Sequence, residues 1–304
     1  MKLKINPRAF LLACLAVFFW ATAATAFKIT LRYTNFINML LLSSLFSTLV
    51  IWSVILITNK IHKLRSASLK EIINSMLLGA LNPFFYYLFV LKAYSLLPAQ
   101  LAQPLNFIWP LMIVLLSVLI LKEKVTLINI LALLVSFSGV IVLSTRGSFI
   151  SFQGASPLGI VLALSSSLIW AFYWILNLKN KLDPVVKLAL NFVFGSIYIL
   201  IFTIFTGRFE NLTIPVLLGS AYIGFFEMGI TFIIWLKALK LAEETTMITN
   251  LIYFTPFFAL MFIAIILKEH IYPGTLIGVF LIVIGIMIQH NITKITPKSS
   301  VNNV

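Results

Sequence analysis

Charge is what this 304-residue chain has least of. Only 10% of its residues are charged, and Asp and Glu together number 8. About a quarter of a soluble globular chain is normally charged, so a water-soluble domain of this length is excluded. Cysteine occurs once, at Cys14, which rules out an internal disulfide. The apolar run continues past Leu11-Leu12-Ala13-Cys14, where a lipoprotein would turn polar. Polar stretches are confined to 58–71, 145–156 and the tail beyond His290, so neither a soluble domain nor a low-complexity segment is expected.

Reactive motifs are missing as well. There is no Walker loop to couple ATP, no HExxH and no nucleophile elbow. His62, His270 and His290 lie in links or at ends, and no His/Asp/Glu cluster has metal-ligand spacing. The expectation is a non-enzyme without cofactor or metal. No Lys or Arg sits mid-span in an apolar run, which argues against strong phosphate capture.

What is present is hydrophobicity, at 61% of residues and a mean hydropathy of +1.09. A helix of roughly 20 apolar residues crosses a bilayer core. Ten such segments are read at 9–27, 36–57, 72–91, 98–121 and 126–144, then 157–178, 186–206, 213–236, 246–267 and 273–289. Lys2, Lys4 and Arg8 followed by Ala23-Ala24-Thr25-Ala26 mimic a signal peptide. We read a first transmembrane helix instead, because the segment has a counterpart around Trp170.

The formal charge of +14 resides in the short links, not in a basic stripe interleaved with aromatics, so nucleic acid is not an expected partner. With the N-terminus inside, only Lys28, Arg32, Lys92, Arg146, Arg208 and Lys268 of the 22 basic residues fall outside. The positive-inside rule then puts both termini in the cytoplasm.

The chain also repeats itself. Leu121-Lys122-Glu123 returns as Leu267-Lys268-Glu269, and Pro110 with Pro256 and Gly139 with Gly285 share that offset. Leu91-Lys92-Ala93 returns as Leu236-Lys237-Ala238, and Trp20 as Trp170. Five spans per copy is an odd number, so the second copy enters the membrane inverted. Inverted repeats offer a direct route to alternating access around a shared midplane site.

Glu227 is the single acid inside a span. Intramembrane acids are costly and tend to be functional. Proton coupling, an ammonium site, or a structural interhelical hydrogen bond all remain open for it. Ser220, Gly224 and Thr231 share its helical face. The fourth segment sets Gln103 on one face with Phe107 and Pro110, and Asn106 and Trp109 alongside. The ninth carries Asn250 and Tyr253 with Pro256 beside them. Pro110 and Pro256 each remove a backbone donor and predict paired helix kinks. Asn82 and Tyr86 in the third segment, Trp170 and Tyr173 in the sixth and Trp20 in the first complete the expected cavity wall. Packing between helices is the alternative for each. Such a wall suits a flat apolar or zwitterionic solute.

Ten spans in two proline-bearing halves, each ending in Lys-Glu, resemble the EamA family of the drug/metabolite transporter superfamily. Asn106-Phe107-Ile108-Trp109-Pro110, Ile169-Trp170-Ala171 and Tyr253-Phe254-Thr255-Pro256 look most like its aromatic amino-acid exporters. The resemblance implies two EamA-like repeats, 1–148 and 149–304, in an all-α basket of ten helices. Eight would line a central cavity, with the fifth and tenth outside it. It further implies a multi-pass protein of the bacterial inner membrane. The expected activity is secondary transport, outward, of small organic metabolites such as hydrophobic or aromatic amino acids. A multidrug exporter of lipophilic cations and a non-transporting scaffold or lipid-handling protein are the alternatives. Proton coupling is open, and both a monomer and a homodimer fit the sequence.

Overall fold

The computed structural model describes residues 6–121, 127–145, 156–243 and 245–295. The Lys122-Glu123 half of the repeated word and Arg146 lie outside the described residues. Every regular element among those described is helical.

The helices begin where the sequence offers a cap. Asn6 accepts from the amides of Arg8 and Ala9 and, with Pro7 behind it, starts Pro7–Thr30. Asn35 does the same for Phe36–Ile57. Ser68 and Glu71 form a reciprocal capping box, which carries the third run back to Leu69, earlier than its apolar stretch begins. Asp183 caps Pro184–Thr206, and Gly207, at φ 62°, ends it in the left-handed conformation.

Among the described residues, seven helices are long and apolar enough to cross a membrane: Pro7–Thr30, Phe36–Ile57, Leu69–Leu96, Pro157–Asn177, Pro184–Thr206, Ile214–Leu241 and Ile248–Leu267. Ile130–Leu143 and Pro273–Ile288 are shorter apolar helices. The segment expected as one helix over 98–121 is instead two, Ala99–Asn106 and Trp109–Leu121, parted at Phe107-Ile108. The 246–267 segment breaks likewise. Thr245–Asn250 passes through a tight turn at Leu251–Phe254 into Thr255–Phe262. Pro110 and Pro256 each stand in the first turn of the piece that restarts, where a missing amide costs nothing. Wider turns interrupt two further helices, at Ala80–Phe85, where the extended backbone of Asn82 (φ −142°, ψ 119°) kinks the chain before Pro83, and at Ile223–Ile230, which is π-type.

Helices from the first half of the chain pack mainly on helices from the second. Phe36–Ile57 lies against Pro184–Thr206. Pro7–Thr30 packs on Thr231–Leu241 and Thr255–Phe262, while Pro157–Lys179 packs on Tyr86–Leu96 and Trp109–Leu121. Leu127–Ser144 pairs with Pro273–Ile295. In that last pair Gly139 meets Gly278, and Ser136 donates to the carbonyl of Ile282 (3.3 Å). Falling numbers on one helix meet rising numbers on the other, so the two run antiparallel. Small residues let the backbones close up, as lipid-embedded helices require. The outer faces carry exposed Leu127, Leu131, Leu134, Ile277 and Phe280, suited to lipid tails.

One ionic contact ties the halves together outside the spans. Lys60 donates to both oxygens of Asp183 (2.8 and 3.0 Å), and Lys63 to Oδ2 (2.9 Å). Burial raises the Asp183 carboxyl, but bonds from Lys60, Lys63 and the Val185 amide outweigh it and hold the group at about 2 against an ordinary 3.8. A depressed carboxyl contributes stability that is complete above the ordinary value and lost as pH falls through the folded one. Thermal stability in detergent is therefore expected to decline between about pH 4 and pH 2 in the parent. Asp183→Ala removes both cap and ion pair and should cost about 1–2 kcal/mol at neutral pH, with a flatter acid limb.

Candidate functional site

A cavity of about 460 Å³ lies between the two halves. Ala23, Ala24 and Phe27 of the first helix line it with Trp20. Tyr86, Val90 and Tyr94 follow from Leu69–Leu96, and Gln103, Asn106, Phe107, Trp109, Pro110 and Ile113 from the broken fourth run. The second half supplies Trp170, Trp174, Glu227, Phe232, Trp235, Leu239, Thr249, Ile252, Tyr253, Thr255 and Ile286. Helices Phe36–Ile57 and Pro184–Thr206 contribute nothing to the wall, whereas Ile286 of the last helix does. The lining thus differs from the eight-helix expectation. Those two helices pack back to back behind the wall, and the last helix reaches it.

Trp170 is the hub of the wall. Its ring centroid lies 4.6 Å from Tyr86, 5.7 Å from Phe232 and 6.1 Å from Trp174. Trp20 stands 5.7 Å from Phe232 and 5.4 Å from Trp235. Offset and edge-on contacts of this kind hold flat surfaces in fixed orientations. A polar chain crosses the aromatic wall. The Tyr86 hydroxyl donates to Asn106 Oδ1 (3.2 Å), and Asn106 Nδ2 donates to Ser166 Oγ (2.9 Å). Ser166 Oγ donates in turn to the Ala163 carbonyl (2.7 Å). Both polar atoms of the Asn106 side chain are thereby occupied.

Glu227 sits in the wide turn Ile223–Ile230 and is 8% exposed. The hydroxyl of fully buried Tyr87 donates to its Oε1 (3.4 Å). Its Oε2 has no protein partner, and the same holds for Gln103 Oε1, Trp174 Nε1 and Thr255 Oγ1. All four residues line the cavity. Leaving a buried polar group unbonded costs about 1–3 kcal/mol, so four around one space mark a place where a ligand or water supplies the missing bonds. Three can accept and two can donate. Among the described residues, no Lys, Arg or His belongs to the wall.

Of the residues singled out in the sequence, Trp20, Tyr86, Gln103, Asn106, Trp109, Pro110, Trp170, Glu227 and Tyr253 line the cavity. Asn82, Tyr173, Asn250 and Pro256 do not. Asn82 is fully buried in the wide turn, at φ −142°, where the helical face rotates away from the wall. Tyr173 stacks behind Trp170 at 5.5 Å, and its hydroxyl accepts from Asn191 of the Pro184–Thr206 helix (3.3 Å). Asn250 is exposed, because the tight turn after it changes the facing of that run. Pro256 is buried one residue past Thr255, which takes the place on the wall.

Trp174, Thr249 and Thr255 were not singled out, yet a signal for each exists. Trp174 follows Trp170 by one helical turn. Thr249 stands to Gln103, and Thr255 to Trp109, at the offset that separates Pro110 from Pro256. Phe107 and Tyr253, and Asn106 and Ile252, are further lining pairs at that spacing.

Long apolar helices, broken runs at matched prolines and an aromatic cavity between two halves define a membrane transporter. The sequence model of the EamA-like transporter family matches residues 7–145 and again 157–289, and the chain belongs to that family. An uncharacterized transporter of Bacillus subtilis, YvbV, is 27% identical over 300 residues, covering 97% of this chain and 95% of its own. An uncharacterized transporter of Clostridium kluyveri is 31% identical over 184 residues, and that match spans 58% of each chain. A crystal structure superposes with a TM-score of 0.65 at 20% identity, covering 95% of this chain and 98% of that one, which speaks to the fold alone.

Proposed function

We propose that the protein is a secondary carrier that exports small organic metabolites by alternating access, with hydrophobic or aromatic amino acids as its cargo. The observation that carries this reading is the cavity itself. An aromatic box holds four buried polar atoms without protein partners, a carboxylate among them. A flat side chain can lie against the ring cluster that Trp170, Tyr86 and Phe232 present to the cavity. An ammonium group fits Glu227 Oε2 and Gln103 Oε1. The Trp174 indole and the Thr255 hydroxyl are left to donate to a carboxylate.

The architecture in this proposal is ten transmembrane helices in two inverted five-helix repeats, 1–148 and 149–304. The double match of the family model supports it, as does the pairing of lining residues at one offset. Gly139 and Gly278 touch, and the repeat offset converts that pair into Gly285 and Ala132, which also touch. Such self-exchange is what a two-fold relation produces. An antiparallel pair at equivalent places in the two copies supports the inversion. The bias of Lys and Arg supports cytoplasmic termini in a bacterial inner membrane.

A second reading has one observation in its favour: among the described residues the wall carries an acid and no base. That polarity suits a lipophilic cation. Counterflow separates the two. Proteoliposomes preloaded with unlabelled phenylalanine should accumulate trace labelled phenylalanine above protein-free vesicles. A flat trace with folded protein sinks the amino-acid reading, and a lipophilic cation that accumulates in the same assay would take its place.

A further inference from the structure

At one end of the cavity, Phe27 and Tyr94 meet edge to face with centroids 5.1 Å apart, and both line the cavity. Immediately beyond them lies a second cleft of about 420 Å³, walled by Lys28, Leu97, Gln100, Glu269, His270 and Tyr272. The cleft adjoins this pair of rings, since Lys28 follows Phe27 and bonds the Tyr94 carbonyl, and its other side is held by contacts of Glu269 and Gln100.

Those contacts join the halves of the chain. Glu269 Oε1 accepts from the Ala99 amide (3.0 Å) and Oε2 from the Gln100 amide (3.2 Å), so an acid of the second half satisfies the first amides of Ala99–Asn106. Lys268, at φ 56°, turns the chain sharply just before it. Gln100 is 4% exposed and fully engaged. Its Nε2 donates to the His270 carbonyl (2.8 Å), and its Oε1 accepts from Thr275 Oγ1 (2.9 Å) and the Tyr272 amide (3.4 Å). Lys28 donates to the carbonyls of Tyr94 and Leu97 (3.0 Å each), holding Tyr94 over the opening.

We propose that Glu269, Gln100 and Lys28 form the latch of a gate, with Phe27 and Tyr94 as its plug, and that the latch must part for cargo to pass between cavity and cleft. This rests on the carrier reading above. Each of these bonds across the halves is polar. Water can replace polar bonds at small net cost, whereas an apolar seal of the same extent has no such exchange partner. A seal that has to open in every cycle is better made this way. The proposal also gives the second copy of the Leu-Lys-Glu word a task at the end of the cavity.

The test needs no substrate. In a Cys14→Ser background, Val90→Cys places a thiol on the cavity wall, one turn below Tyr94. A charged, membrane-impermeant thiol reagent is added from each face in turn. Glu269→Gln and Gln100→Leu act on different atoms of the latch. Both are expected to raise the labelling rate from the cleft face by about tenfold, the shift that loss of one charge-assisted hydrogen bond, for Glu269, or of two short neutral ones, for Gln100, gives a two-state gate. Labelling from the opposite face should slow. An unchanged rate in both variants overturns the latch, and so does an equal rise from both faces, which reports loosened packing. Counterflow on the parent judges the carrier reading separately, because the labelling contrast stands or falls without it.

Discussion

Glu227→Gln is expected to abolish export of a lipophilic cation and to uncouple, without stopping, exchange of an amino acid. The substitution keeps the volume and still accepts from Tyr87, so the wall should hold its shape. It removes the charge and the titratable proton. For a cation, taking away a buried charge partner costs roughly 3 kcal/mol or more, so transport should fall by about a hundredfold at every pH. For a zwitterion, whose ammonium keeps Gln103 Oε1 and the new amide oxygen as acceptors and whose own carboxylate balances the charge, exchange at equal concentrations should weaken but persist, while accumulation driven by a pH gradient disappears. The measurement is uptake with and without an imposed gradient in one vesicle preparation. A variant that accumulates both cargoes like the parent would show that Glu227 only packs.

Replacing Gly139 by Leu should be severely damaging to the fold. A Cβ there would lie 2.7 Å from the Gly278 carbonyl oxygen and 2.9 Å from Leu281 Cβ. The first neighbour is backbone and cannot rotate aside, so the two helices have to separate. Overpacking costs about 1–3 kcal/mol even where side chains can yield, and at a backbone contact we expect the upper end or more. The observable is loss of monodisperse protein on mild heating in detergent. Gly285→Leu, whose Cβ would lie 2.6 Å from the Ala132 carbonyl, should be equally harmful if the two copies are related by a two-fold axis. Phe280→Leu, on the lipid face, should leave stability within about 0.5 kcal/mol of the parent.

Hydropathy alone made the fold class legible, because apolar length is a global property of each segment. The repeated words are the sequence's argument for two copies, which stays part of the proposal above. The wall was harder to read wherever a helix departs from 3.6 residues per turn. Asn250 and Tyr253 share a face on a straight helix, but the tight turn at Leu251–Phe254 keeps Tyr253 on the wall and leaves Asn250 exposed. Asn82 was misplaced by the same cause, a wide turn invisible to a helical wheel. Tyr173 shows another limit. Sequence placed it beside Trp170, but only packing reveals that its hydroxyl faces Asn191 on a helix from elsewhere in the fold. Counting by the repeat offset instead of by helical face would have picked Thr249 and Thr255.

Trp20 and Trp170 match across the repeat, but four other paired positions of the wall hold unlike residues: Gln103 pairs with Thr249, Asn106 with Ile252, Trp109 with Thr255 and Ala24 with Trp174. A perfectly mirrored lining would accept a solute equally well end for end. This one gives its guest a head and a tail, so cargo settles in a single pose whichever face of the membrane it came from. A single pose around an asymmetric ring of donors and acceptors is also a handed one. The protein should therefore tell an L-configured guest from its D-isomer, a preference that a merely greasy pore would not have.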